Sequence, residues 1–165
     1  MLLVGGASRR FGSPKALARI GGETLAERAW RLLGEACDER LAVGKAADGL
    51  ELPFPLLEDA SAVRAPLAGV VAGVRAARHE ICVVLPVDCP FVTPGTLRAL
   101  GRAVAVSPTG PLPGAYSKEM LPELERRLRA GELSLRGVNA RVAEIDEREL
   151  RDVDVPDDLR DELLD

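Results

Sequence analysis

The chain has 165 residues, 47% hydrophobic and 29% charged, a balance that can bury a core and excludes a disordered chain. A formal net charge of −4 excludes a general nucleic-acid binder, which needs a basic surface. No apolar run approaches the roughly 20 residues of a membrane span and no signal peptide is read before the first apolar run, so a cytoplasmic chain is expected.

Short apolar runs alternate with helical periodicity, the pattern of a parallel sheet with covering helices. Met1 to Val4 predict a first strand that stops at Gly5-Gly6. Thr24 to Cys37 predict a helix, with Leu25, Ala29, Leu32, Leu33 and Ala36 on one face and Thr24 as its cap. Strands are expected over 40–43 and 54–57, then a helix over 67–78. Ile81 to Leu85 are continuously apolar, as in a strand buried on both faces. Thr93 or Pro94 opens a helix to about Val104. Leu112 to Tyr116 predict a strand in a proline- and glycine-rich stretch, and Met120, Leu121, Leu124 and Leu128 mark a helix ending near Gly131. Residues 132–151 look mixed, and Pro156 to Leu164 predict a terminal helix. The expected fold is α/β: a single domain over 1–165, with a doubly wound, mostly parallel sheet and helices on both faces.

Charge is unevenly distributed. Residues 1–20 carry Arg9, Arg10, Lys15 and Arg19 and no acid, whereas residues 141–165 carry eleven acids against four arginines. A basic opening on an acidic chain points to a local anion site. The stretch GGASRRFGSPK (5–15) follows the first strand, and open α/β sheets bind ligands beyond the carboxyl ends of their strands. Gly5 and Gly6 let backbone amides approach phosphate oxygens, while Arg9, Arg10 and Lys15 supply charge. Neither a P-loop nor GxGxxG fits, since Ser13 and Pro14 separate Gly12 from Lys15, and Ala7 and Arg10 stand where glycines are required. The three cysteines (Cys37, Cys82 and Cys89) have no CxxC spacing, which suggests neither a disulfide framework nor a zinc site. The single histidine, His79, reads as a solvated residue, and no histidine is placed to activate Cys89.

GGASRRFGSPKA resembles the signature loop of the nucleotidyltransferases related to molybdenum cofactor guanylyltransferase, which show LAGG-x-S-x-R-x-G-x-x-K-A after the first strand. LLEDASAVRAPLAGV (56–70), LPVDCPFVTP (85–94), PLPGAYSKEMLPELERRL (111–128) and DVDVPDDL (152–159) fit the same family in the same order. The resemblance implies a Rossmann-like nucleotidyltransferase fold and transfer of GMP from GTP to molybdopterin, with release of pyrophosphate and Mg2+ as cofactor. It implies catalytic roles for Arg10, Lys15 and Asp88, and nucleotide binding by Leu3, Val4, Gly5, Gly6, Lys15, Asp59 and Asp88. It further implies that Asp88 binds the metal, with Asp154 as a second ligand, and that Tyr116 and Ser117 contact the acceptor. Taken by themselves, Asp59 reads equally as a turn residue and Tyr116 as a packed core aromatic. Transient contact with other molybdenum cofactor biosynthesis or insertion proteins is also expected.

The chain departs from the family pattern in two places. Asp152 and Asp154 stand where the family has Asn-x-Asn, and Val4 replaces an alanine, which is expected to narrow the base pocket. Alternative readings are cytidylyl transfer to the same cofactor and a non-catalytic nucleotide-binding accessory protein of the same fold.

Overall fold

The computed structural model describes residues 1–5 and 14–153. Strand β1 (Leu2–Leu3) is followed, after the signature loop, by a hairpin of β2 (Arg19–Ile20) and β3 (Glu23–Thr24). The hairpin turns through Gly21 and Gly22 at φ of 57° and 90°, the positive dihedrals a two-residue connection demands. It was not anticipated from the sequence, although the Gly-Gly pair between short strands is its signal. Helix α1 (Leu25–Ala36) opens with a reciprocal cap: Thr24 Oγ accepts from the Glu27 amide at 3.1 Å and the Glu27 carboxylate accepts from the Thr24 amide at 2.7 Å.

Strands β4 (Ala42–Gly44) and β5 (Leu56–Glu58) come next, then α2 (Pro66–Ala76), β6 (Ile81–Pro86) and α3 (Pro94–Ala103). Proline begins both helices, where its missing N–H costs nothing. Strand β7 (Gly114–Ser117) leads into α4 (Leu121–Ala130), which stops at Gly131 in the left-handed conformation. Strand β5 begins two residues later than expected because Phe54 is used otherwise, stacked on Trp30 with centroids 4.3 Å apart. The mixed region after 131 contains a one-turn 3-10 helix at Glu147–Leu150 and a parallel bridge from Val142 to Val106. The expected terminal helix lies outside the described residues.

The sheet order is β5-β4-β1-β6-β7, parallel throughout except for β7, which runs antiparallel to β6. Successive strand residues point to opposite faces, and the core divides accordingly. Leu2, Val83 and Leu85 pack with Leu25 and Leu33 of α1 and Leu97 and Leu100 of α3. Leu3, Val43 and Val84 pack on the other face with Leu67, Val70 and Val74 of α2 and Leu124 of α4. This is the expected doubly wound α/β sheet with helices on both faces. The chain runs outward from β1 to β4 and β5, then returns to β6 on the other side of β1. That reversal opens a crevice at the carboxyl ends of β1 and β6.

Val4 lines the rim of this crevice and packs closely against Gly44. A Cβ placed on Gly44 would lie 2.7 Å from Val4 Cγ2 and 3.3 Å from Leu56 Cδ1, so the absent side chain of Gly44 takes up the bulk of Val4. Gly44→Ala is therefore expected to destabilise the fold by about 1–3 kcal/mol through overpacking. Thermal or denaturant unfolding of Gly44→Ala, Val4→Ala and the double variant checks this, and the double variant should lose less than the sum of the two.

Candidate active site

The strand ladder continues past the strand ends and aims the residues that follow them. The Val4 amide donates to the Val43 carbonyl at 3.0 Å, that of Asp59 to Gly44 at 2.8 Å and that of Val87 to Leu3 at 3.0 Å. Gly5, Lys45, Asp59 and Asp88 thus emerge at one edge of the sheet, around a cleft of about 460 Å³. Leu3, Val4, Lys15, the start of α2 and Leu112 complete its walls.

Among the described residues, three cation–carboxylate pairs line the cleft. Lys15 Nζ lies 3.6 Å from Asp88 Oδ2, an ion pair rather than a hydrogen bond. Lys45 Nζ lies 2.9 Å from Asp59 Oδ2, and Arg64 reaches Asp48 Oδ1 at 2.7 Å. The first pair spans the mouth of the crevice, between Lys15 of the signature loop and Asp88 beyond β6. A polyanionic ligand with a divalent cation satisfies both charges separately, the lysine on phosphate and the carboxylate on metal.

The oxygen donors for such a cation come from two distant segments. The Val153 amide donates to the Asp88 carbonyl at 2.9 Å, which draws Asp152 beside Asp88. Ligand atoms of Asp88, Cys89 and Asp152 all lie within 4.8 Å of one another. The Cys89 thiol donates to Asp152 Oδ1 at 3.3 Å. Burial, reinforced by the two neighbouring carboxylates, pushes its pKa far up. Cys89 thus sits as a buried thiol between the two carboxylates, with no histidine beside it to activate it. Asp88 and Asp152 offer the hard oxygen donors that a divalent cation takes together with substrate phosphates.

Leu3, Val4, Gly5, Lys15, Asp59 and Asp88, all marked from sequence, line this one cleft. Gly6, Arg10 and Asp154 lie outside the described residues. The expected acceptor contacts of Tyr116 and Ser117 require correction. Tyr116 is 0% exposed in the core between the sheet and α2 and α4, and its hydroxyl donates to the Pro111 carbonyl at 2.8 Å. Ser117 pairs with Ile81 at the start of β6, the end away from Asp88. Because β7 is antiparallel, only the segment leading into it reaches the cleft, through Leu112. His79 is exposed, as expected.

Lys45, Asp48 and Arg64 were not marked from sequence, nor was Asp152 chosen as a metal ligand. Lys45 had a usable signal, since it directly follows a strand of the parallel sheet, as Asp88 nearly does. Asp152 shares with Asp154 the two-residue spacing that puts side chains on one side of an extended chain.

The model of the MobA-like NTP transferase domain family matches residues 1–145. The molybdenum cofactor guanylyltransferase of Desulfosudis oleivorans is 31% identical over 168 residues, covering 93% of this chain and 83% of its own length. That of Pseudomonas putida is 32% identical over 182 residues, covering 98% and 95%. The molybdopterin-guanine dinucleotide biosynthesis protein A of Archaeoglobus fulgidus shares the fold, with a TM-score of 0.78 at 24% identity over 97% of this chain and 94% of that one. With its signature loop on β1, its carboxylates beyond β5 and β6 and this match across most of its length, the chain belongs to the MobA-like NTP transferase domain family.

Proposed function

We propose that this chain transfers the guanylyl group of GTP to the phosphate of molybdopterin, giving molybdopterin guanine dinucleotide and pyrophosphate. The observation that carries the reading is the Lys15–Asp88 pair at 3.6 Å across the crevice: a phosphate-binding cation and a metal-binding carboxylate that can share one nucleotide. The names of the full-length relatives supply the substrates.

An oxygen of the acceptor phosphate forms the new bond to the α-phosphorus, while the bond to the bridging oxygen of the departing pyrophosphate breaks. A phosphate monoester is already largely ionised at neutral pH, its second pKa being about 6, so no general base is needed. That accords with a chain whose single histidine, His79, is exposed away from the cleft. The work left to the protein is alignment and charge neutralisation. Lys15 draws charge from the phosphates, and the Gly5 backbone lets them approach the end of β1. Arg10 is assigned to the same anion. Asp88 and Asp152 would hold Mg2+, which supplies further neutralisation of the transferring group. Asp59, deep on the β5 side of the cleft, faces the nucleoside.

Purified chain with molybdopterin and Mg2+ should release pyrophosphate from GTP and not from CTP; the reverse preference would replace the guanine assignment with a cytidylyl one. Asp88→Ala and Lys15→Ala are each expected to lower kcat by about 10²–10³-fold, the scale of removing one charge-stabilising group, with stability followed by thermal unfolding. Wild-type turnover in Asp88→Ala would refute the assignment of the metal to Asp88, whereas GTP binding by the wild type without pyrophosphate release would indicate a non-catalytic nucleotide-binding protein. Chelation should abolish turnover and added Mg2+ restore it. Cys89→Ser should turn over like wild type, and iodoacetamide should label the half-buried Cys37 before Cys82 and Cys89 in the folded chain.

A further inference from the structure

The Lys45–Asp59 pair is the most enclosed charge pair of the cleft, the two side chains being 14% and 7% exposed. Lys45 follows β4 and Asp59 follows β5, so the pair ties together two adjacent strand ends. Its ammonium has three protons and three acceptors: Asp59 Oδ2 at 2.9 Å, the Asp59 carbonyl at 3.1 Å and the Ser61 carbonyl. Nothing is left over for a ligand. Asp59 is different. Its Oδ1 accepts from the Ser61 amide at 2.9 Å and its Oδ2 faces Lys45, which leaves one acceptor position on each oxygen. The loop is held as well, because the Val63 amide donates to Ser61 Oγ at 3.1 Å just before Arg64, Ala65 and Pro66 enter the wall of the cleft.

We infer that Lys45 is a positioning residue that sets nucleotide affinity through Asp59. It holds the carboxylate and the 59–61 loop in one arrangement, so that two acceptor positions are presented side by side to the nucleoside. This deepens the functional reading above and rests on it. The chemistry it favours is a base edge with two adjacent donors, which guanine offers through N1–H and the 2-amino group; cytosine and adenine set a donor beside an acceptor on the corresponding edge. Removing Lys45 leaves the buried carboxylate uncompensated and free to turn toward solvent. The ligand then loses bonds it makes equally in the ground and transition states, which raises KM and spares kcat.

The test is a double-variant cycle on the full chain, with GTP affinity measured by calorimetry in the presence of Mg2+ and no acceptor, and kcat measured separately with molybdopterin. Lys45→Met and Asp59→Asn should each weaken GTP binding by about tenfold, the scale of one hydrogen bond to a charged group. The double variant should be no weaker than either single one. At saturating GTP, kcat of Lys45→Met should stay within about twofold of wild type, as loss of uniform binding requires. Wild-type affinity in Lys45→Met overturns the inference, as do effects that multiply in the double variant, or a kcat that falls in step with affinity. If Lys45→Met does not fold, Lys45→Gln, which keeps two donors, takes its place under the same criteria. Should the wild type bind CTP and not GTP, the guanine reading fails by itself; the cycle run with CTP then decides the role of Lys45 separately.

Discussion

The cleft exists because three strands run parallel to β1 or to its neighbour, in register. Leu2 pairs with Ala42 on one side and with Leu85 on the other, and Val43 in turn pairs with Leu57. Parallel pairing sends every strand out of the sheet at the same edge, so the residues after β1, β4, β5 and β6 meet there although they are far apart in sequence. The strands are short, and β1 has only two residues in its ladder. They are held by burial on both faces rather than by length, with Leu2 at 0% exposure on one side and Leu3 at 7% on the other. Antiparallel β7 then closes that flank of the sheet and carries its far end away from the cleft.

The electrostatics follow from this geometry. Charged groups forced together at a partly enclosed edge must be compensated, since an isolated buried charge is expensive. Each carboxylate among the pairs of the cleft is therefore met by a cation from another segment: Lys15 with Asp88, Lys45 with Asp59, Arg64 with Asp48. The pairs differ in kind. Arg64 is 61% exposed, and such a pair contributes little and rearranges readily. The Lys45–Asp59 pair is nearly enclosed and bonded to the backbone, which makes it part of the frame. Lys15 and Asp88 stand between these extremes, 3.6 Å apart with side chains 14% and 35% exposed.

Much of the site was legible before the fold was known, for a definite reason. Lys15, Asp59 and Asp88 each stand just beyond a recognisable element, and the rule that open α/β sheets bind at their carboxyl edge carries them to the cleft. Tyr116 failed for a complementary reason. It lies on β7, whose direction relative to β6 no local pattern reveals, and reversing that strand moves its end from the cleft to the opposite edge. Asp152 was within reach, but choosing it over Asp154 required the amide of Val153 to be seen bonded to the carbonyl of Asp88.

What the amino-acid order determined alone is what neighbours along the chain decide. Thr24 and Glu27 cap α1, Pro66 and Pro94 start helices, Gly131 ends one, and the apolar run from Ile81 makes a buried strand. These features rest on dihedral preference, hydrogen bonds within a turn and side-chain periodicity, all of short range. Tertiary structure alone decided that Gly44 gives way to Val4, that Lys45 spends every proton on Asp59 and its loop, and that Tyr116 faces inward. Each of those outcomes depends on which strand lies beside which, and strand order is settled by the packing of the whole sheet.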